Sequence, residues 1–251
     1  MTPTRFWLIR HALVEENARA LVYGTLDVEV CPHTMESARP TYAQLAAHLP
    51  RPATWLVTPL SRTRRTAEAI FAAGHDPMPL TVEPGLIEAD FGTWQGLPHA
   101  DVAAQLTEAP HAFWPLSGQE RPPGGESIAD VILRVGTTME RLARTHAGRD
   151  VVAVSHGGAI RAAVAHALDA GAQTALHFSV ENLSLTRLER HPRGIGPGTA
   201  RLLVTGETKP DRLREVANAG ITVLYKPVSP RVLRQAIQAQ RAAAAALLAD
   251  V

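Results

Sequence analysis

Apolar positions along the chain come in short runs separated by stretches of helical period. Residues 5–10 (RFWLIR) read as a buried first strand. Over residues 33–49 the side chains Tyr42, Leu45, Ala46 and Leu49 recur on one side of a helix, which Pro50 and Pro52 stop. Residues 54–58 (TWLVT) form a second strand, ended by Pro59. Residues 61–73 read as a helix closed by Gly74. Its first turn carries Arg62, Arg64 and Arg65, and the last two read as a solvated face. A short strand follows at 80–82, then a Gly- and Trp-containing loop at 89–98. The breaker Pro-Pro-Gly-Gly at 122–125 precedes a helix over 127–146, where Ser127 and Asp130 have capping-box spacing with Asp in place of Glu. Residues 151–155 (VVAVS) form a strand, 158–168 a helix, and 183–188 (LSLTRL) an alternating strand near a sheet edge.

Strands that alternate with helices predict an α/β fold: a three-layer αβα sandwich with a mostly parallel central sheet. The pattern changes after residue 190. Residues 193–198 (RGIGPG) read as a linker. Their Gly-x-Gly is not a dinucleotide loop, because Pro197 interrupts it and no strand-to-helix turn precedes it. Beyond it come a strand (202–205), a helix (211–219), a strand (222–225) and a helix (230–248). The expected organisation is a main domain over 1–190, a Gly/Pro linker over 191–199 and a small βαβα segment over 200–251. Such a segment is too small for a core of its own, so it is expected to dock on the main domain or on another chain.

The chain has 251 residues, 45% apolar and 20% charged, which marks a globular protein. A formal net charge of +1 gives no footprint for nucleic acid or an acidic membrane. Lys209 and Lys226 are the only lysines; the remaining basic side chains are arginines, whose fork suits phosphate oxygens. Cys31 stands alone, so no disulfide within the chain is expected and it reads as a structural or surface thiol. No apolar stretch reaches membrane-spanning length, and no signal peptide is read at the start, so a cytoplasmic location is expected. The histidines show no metal-ligand spacing, and neither metal nor cofactor is implied.

Two strings carry the candidate chemistry. Leu8-Ile9-Arg10-His11 and Val154-Ser155-His156-Gly157-Gly158 each place a histidine just after a buried strand. Open α/β sheets hold their chemistry at the C-terminal ends of strands. Arg10 beside one histidine and a glycine pair beside the other point to a phosphate pocket built around imidazoles. Trp94, Phe113 and Trp114 lie in segments that would wall such a pocket.

These strings, with Pro59-Leu60-Ser61-Arg62-Thr63-Arg64-Arg65-Thr66-Ala67-Glu68 and Leu86-Ile87-Glu88-Ala89-Asp90-Phe91-Gly92-Thr93-Trp94-Gln95-Gly96, occur in an order that resembles the histidine phosphatase (phosphoglycerate-mutase-like) superfamily. The resemblance spans residues 4–188. It implies that His11 is a nucleophile forming a phosphohistidine, that Arg10 and Arg62 neutralise the phosphoryl dianion, and that His156 stabilises its transferring oxygens. It places the proton donor for the leaving alkoxide on Glu88, with Asp90 as the alternative. Asn17 and Gly157 are implied phosphate contacts, and Glu126 a substrate contact. Many relatives follow Arg-His with Gly-Glu; here Ala12 and Leu13 stand there, which removes a carboxylate that could orient neighbours.

The modest separation between Glu88 and His156 resembles the short phosphatase branch, which includes α-ribazole-phosphate phosphatases. The expected activity is hydrolysis of a small phosphorylated metabolite such as α-ribazole phosphate or a sugar phosphate. Residues 203–208 and 223–230 resemble the last strands of a response-regulator receiver domain, with a cis bond expected at Lys226-Pro227. No receiver-like strand with a phosphoacceptor Asp precedes them. An alternative reading follows from that tail: a signalling protein with a phosphohistidine-protein phosphatase or an inactive phosphate-binding domain. Its protein partner or dimer contact would use the C-terminal segment.

Overall fold

The computed structural model describes residues 2–111 and 114–191, and the backbone of 201–205. The chain divides into two units, Met1–Val204 and Thr205–Val251, and the site lies in the first. The linker, the tail elements over 211–248, the Lys226-Pro227 bond and Phe113 lie outside the described residues.

Six strands, β1 (Thr4–Arg10), β2 (Thr54–Val57), β3 (Leu80–Val82), β4 (Asp150–Ser155), β5 (Leu185–Arg190) and β6 (Arg201–Thr205), form one sheet in the order β3-β2-β4-β1-β5-β6. β1, β2, β3 and β4 run parallel, and β5 pairs antiparallel with β1. The helices are α1 (Glu16–Arg19), α2 (Pro32–Ser37), α3 (Arg39–His48), α4 (Ser61–Ala72), α5 (His99–Ala103), α6 (Ile128–Thr145), α7 (Gly157–Leu168) and α8 (Ala172–Ala175). The expected mixed α/β fold with a mostly parallel sheet is the one observed.

The period of two along each strand sorts side chains onto two faces. Ile9, Val152 and Val154 point to one core with Tyr42, Leu45, Ala67 and Ile70 of α3 and α4. Phe6, Leu8, Val151 and Ala153 point to the other, with Val131, Val135 and Leu142 of α6 and Ile160 and Val164 of α7. A central strand buried on both faces reads as a continuous apolar run, which is why VVAVS was legible as a strand. At roughly 25 cal/mol per Å² of apolar surface removed from water, these two cores supply the main force holding the sheet to its helices.

Several boundaries shift by a residue, and three differences bear on the packing or the site. The single helix expected over 33–49 is two helices, α2 and α3, separated at Ala38. Pro40 has no N–H to reach back to Glu36, so one helix cannot run through. The strand expected over 183–188 begins at Leu185. Leu183 has φ 59°, outside the strand region, and its N–H bonds Arg10 O instead. The helix expected from 158 starts at Gly157, with His156 as its N-cap. The Ser127–Asp130 capping box is present at α6, each side chain accepting from the other's backbone N–H.

Candidate active site

β1 and β4 run side by side in a register that pairs Arg10 with Ser155. Both strands end there, so the next residues, His11 and His156, are forced together at the C-terminal edge of the sheet. Their ring centroids are 5.1 Å apart at 60°, and His11 N–H donates to Ser155 O at 2.9 Å. The expected pair of strand-end histidines is thus one cluster.

His11 is buried, and its Nδ1 lies 2.7 Å from Ala12 O. A carbonyl can only accept, so Nδ1 carries the proton and Nε2 keeps its lone pair. Asn182 Nδ2 donates to His11 O at 2.8 Å, and Ala12 N–H donates to Thr66 Oγ1 at 2.9 Å. Three elements therefore hold the backbone that aims the ring. Burial, then the charges of Arg62 and Arg10, push the His11 pKa well below 6.5 and keep the imidazole neutral.

His156 is fully buried, and its Nε2 lies 2.9 Å from Thr58 Oγ1. With Thr58 donating, the proton of the neutral ring sits on Nδ1, which has no hydrogen-bond partner among the described residues. Burial first, then His11, Arg62, Arg10 and Arg134, depress its pKa well below 6.5.

Arg62, in the first turn of α4, is fully buried. Its Nη1 and Nη2 donate to Leu26 O and Gly24 O, each at 2.7 Å, and its Nε has no partner among the described residues. Gly24 has φ 40°, and a Cβ there would strike Phe91 and Gln95, so the acceptor for Nη2 requires glycine. Arg10 donates from Nη1 to Val180 O at 2.6 Å and likewise leaves Nε buried and free of partners among the described residues. Arg62 Nε, Arg10 Nε and His156 Nδ1 form a set of unsatisfied donors around a neutral imidazole. An oxyanion is the group that would satisfy them.

Glu88 is buried, with Oε1 accepting from Ala89 N–H at 2.9 Å and Oε2 from Gly158 N–H at 3.2 Å at the start of α7. A Cβ on Gly158 would collide with the carboxylate. Asp90, the alternative donor, instead accepts from Gly92 N–H at 2.8 Å and shapes its own loop. Glu126 pairs with Arg134 at 2.7 Å, and Arg134 also donates to the carbonyls of Gly85, Ile87 and Glu88. Glu126 thus belongs to a clamp that positions the Glu88 segment.

Asn17 stands apart from the cluster's hydrogen bonds. It is exposed on α1, and its side-chain oxygen accepts from Ala18 N–H at 2.7 Å. Trp94 sits in the core with Nε1 donating to Gln105. Leu13 lines a cavity of about 340 Å³ together with Ala12, Tyr42, Asn182 and Leu183. Thr58, Asn182, Arg134 and Arg161 were missed by the sequence reading. Only Arg161 left a local signal: it lies four residues after Gly157, one helical turn along the same face of α7.

Among the described residues no group of three or more His, Cys, Asp or Glu side chains is placed to hold a metal ion. None of their helices is long and apolar enough to cross a membrane.

Known proteins share this arrangement of sequence and fold. A family profile described as the histidine phosphatase superfamily (branch 1) matches residues 6–197. A bifunctional protein of Mycobacterium tuberculosis is 33% identical over 189 residues, covering 73% of this chain and 50% of the relative. The chain therefore spans about half the length of the first curated relatives it matches. A 2,3-bisphosphoglycerate-dependent phosphoglycerate mutase of Methylobacterium is 32% identical over 160 residues, 62% of this chain and 77% of the mutase. The native structure of a mycobacterial glucosyl-3-phosphoglycerate phosphatase superposes with a TM-score of 0.65 at 26% identity, covering 80% of this chain and 98% of that one. An α-ribazole phosphatase structure from Shigella flexneri gives 0.63 at 24% identity, over 80% and 95% of the two chains, and shows the shared fold.

Proposed function

The chain belongs to the histidine phosphatase superfamily, and from that premise we propose that it hydrolyses a small phosphomonoester through a phosphohistidine on His11. The observation that carries the proposal is the Nδ1–Ala12 hydrogen bond, which leaves the Nε2 lone pair free on a neutral ring beside unsatisfied N–H donors.

In this reading the phosphoryl dianion sits against Arg10 Nε, Arg62 Nε and His156 Nδ1. His11 Nε2 attacks phosphorus as the P–O bond to the leaving group breaks, and the donors meet the charge on the equatorial oxygens. Glu88 delivers a proton to the departing alkoxide. Water then attacks the phosphohistidine, returning a proton to Glu88, and phosphate leaves. The same carboxylate serves as acid and then as base because both steps occur at one face of the phosphorus site. Hydrolysis rather than transfer to a second ester is the reading favoured by the short stretch between Glu88 and His156.

The substrate expected on this reading is a small phosphorylated metabolite such as α-ribazole phosphate or a sugar phosphate; the name of the glucosyl-3-phosphoglycerate phosphatase supports a small phosphomonoester. A cytoplasmic setting is part of the same proposal. The test is hydrolysis of p-nitrophenyl phosphate by the full chain. The parent should turn over, and His11→Ala should lose at least about a thousandfold in kcat, since the step it removes is covalent. A His11→Ala variant as fast as the parent overturns the proposal.

A further inference from the structure

β2 and β4 pair in a register that sets Val57 opposite Val154, so Thr58 leaves β2 beside the turn that carries His156. Thr58, Thr63 and His156 are each 2% exposed or less. No solvent water reaches their hydrogen bonds, so each proton among them must be placed on a protein acceptor.

The count starts at Thr63. Its shortest contact is Leu60 O at 2.8 Å, and a carbonyl can only accept, so Thr63 spends its one hydroxyl proton there. Its lone pairs are left to accept the Thr58 N–H at 3.1 Å. Thr58 also has one hydroxyl proton. The Leu60 N–H donates to its oxygen at 3.3 Å. Among the described residues two acceptors remain for that proton: His156 Nε2 at 2.9 Å and Thr63 Oγ1 at 3.3 Å.

The two choices give His156 opposite faces. With Thr58 donating to Nε2, the ring proton is on Nδ1. With Thr58 turned to Thr63, Nε2 carries the ring proton and Nδ1 shows a lone pair. The ring cannot hold both protons, because burial and the nearby cations keep it neutral.

Two observations select the first arrangement. The contact to Nε2 is the shorter one and has good hydrogen-bond length, whereas 3.3 Å is long for a pair of hydroxyls. Nδ1 is buried without a hydrogen-bond partner among the described residues, in the field of Arg10 and Arg62 that draws an oxyanion in. A lone pair at that point would repel phosphoryl oxygens, and an N–H meets one of them.

We infer that Thr58 is a positioning residue for phosphoryl transfer: its hydroxyl, backed by Thr63, donates to His156 Nε2 and holds the ring as a donor through Nδ1. This rests on the phosphatase reading above and states how His156 is kept competent in it. Thr63 follows Arg62 in the first turn of α4, so one turn supplies an anion contact and the backing for a second.

The test reads the tautomer itself. Nitrogen-15 NMR of the full chain, labelled at histidine and saturated with inorganic phosphate at neutral pH, should show His156 with a protonated Nδ1. Its Nε2 should be unprotonated and shifted by an accepted hydrogen bond, with His156→Asn assigning the signals. Thr58→Val keeps the side-chain shape and removes the hydroxyl. It should abolish the Nε2 shift and lower kcat/KM for p-nitrophenyl phosphate by about 10- to 1000-fold, reaching the range of one lost oxyanion donor. That leaving group needs no proton, so the loss is separate from any effect on Glu88. Thr58→Ser should restore most of the rate and the shift. A phosphate-bound parent with the proton on Nε2 overturns the proposal. So does Thr58→Val turning over as fast as the parent, or Thr58→Ser as impaired as Thr58→Val, which would mark packing of the methyl group. If Thr58→Val does not fold, the parent spectrum and Thr58→Ser still decide. If the parent hydrolyses no ester, the phosphatase reading fails, while the spectrum in phosphate still decides the tautomer.

Discussion

At the scale of single residues, the site depends on two neutral histidines where water would favour partial charge. Burial beside Arg10 and Arg62 keeps His11 and His156 unprotonated, and this has a cost that varies with pH. Each folded pKa is lowered, so each histidine binds a proton in the unfolded chain before it does in the folded one. The folded state is favoured in full above pH 6.5 and loses ground as pH falls from there toward the folded value. The slope is about 1.4 kcal/mol per pH unit for each such histidine. The stability advantage of the parent over His11→Asn should therefore shrink between pH 7 and pH 5.5 in denaturant titrations. An advantage that stays constant across that window contradicts a buried neutral His11. The principal side chains were readable because their motifs are local: Arg10 and His11 are adjacent, and Arg62 opens a helix. Thr58 and Asn182 were not, because their partners His156 and His11 lie 98 and 171 residues away. No local pattern marks a hydroxyl that meets an imidazole so far along the chain.

At the scale of elements, the start of α7 does the most. Its two glycines make room for opposite things. Gly157 leaves the gap between Arg161 and Arg10, and Gly158 lets Glu88 approach a helix N-terminus and accept its N–H. The glycine pair was visible in the sequence, but its purpose was not, since it depends on side chains from β1 and the segment after β3. Gly158→Ala should displace the Glu88 carboxylate and lower kcat for alkyl phosphates by about 10²- to 10⁴-fold, the range of a lost general acid. Glu88→Gln should do the same, and the double variant should be little worse than either alone. Additive losses would mean that Gly158 acts through something other than Glu88. The helix boundaries that went astray have similar causes. The apolar period over 33–49 was real, but Pro40 breaks the backbone ladder that the period does not report. The strand at 185–190 was displaced because Leu183 turns back to bond Arg10 O beside His11.

At the scale of the whole molecule, the parallel register of β1 and β4 turns two distant strings into one site, with Arg62 at the end of the connection after β2 and Glu88 after β3. The layered α/β architecture was legible from alternating periods alone, because central parallel strands are apolar throughout. The strand order was not, since nothing local states that β4 inserts between β1 and β2. The first curated relatives, one of them a bifunctional protein, are matched over about half of their length, so the matched unit also occurs within larger chains. The central claim is that the unit works by covalent transfer to His11. The most direct measurement is rapid acid-free quenching of the full chain during turnover of ³²P-labelled phosphate ester, followed by peptide mapping. The account predicts base-stable, acid-labile label on the peptide containing His11, chased by water within a turnover and absent from His11→Ala. Turnover with no label at His11, or label that persists in His11→Ala, would contradict it.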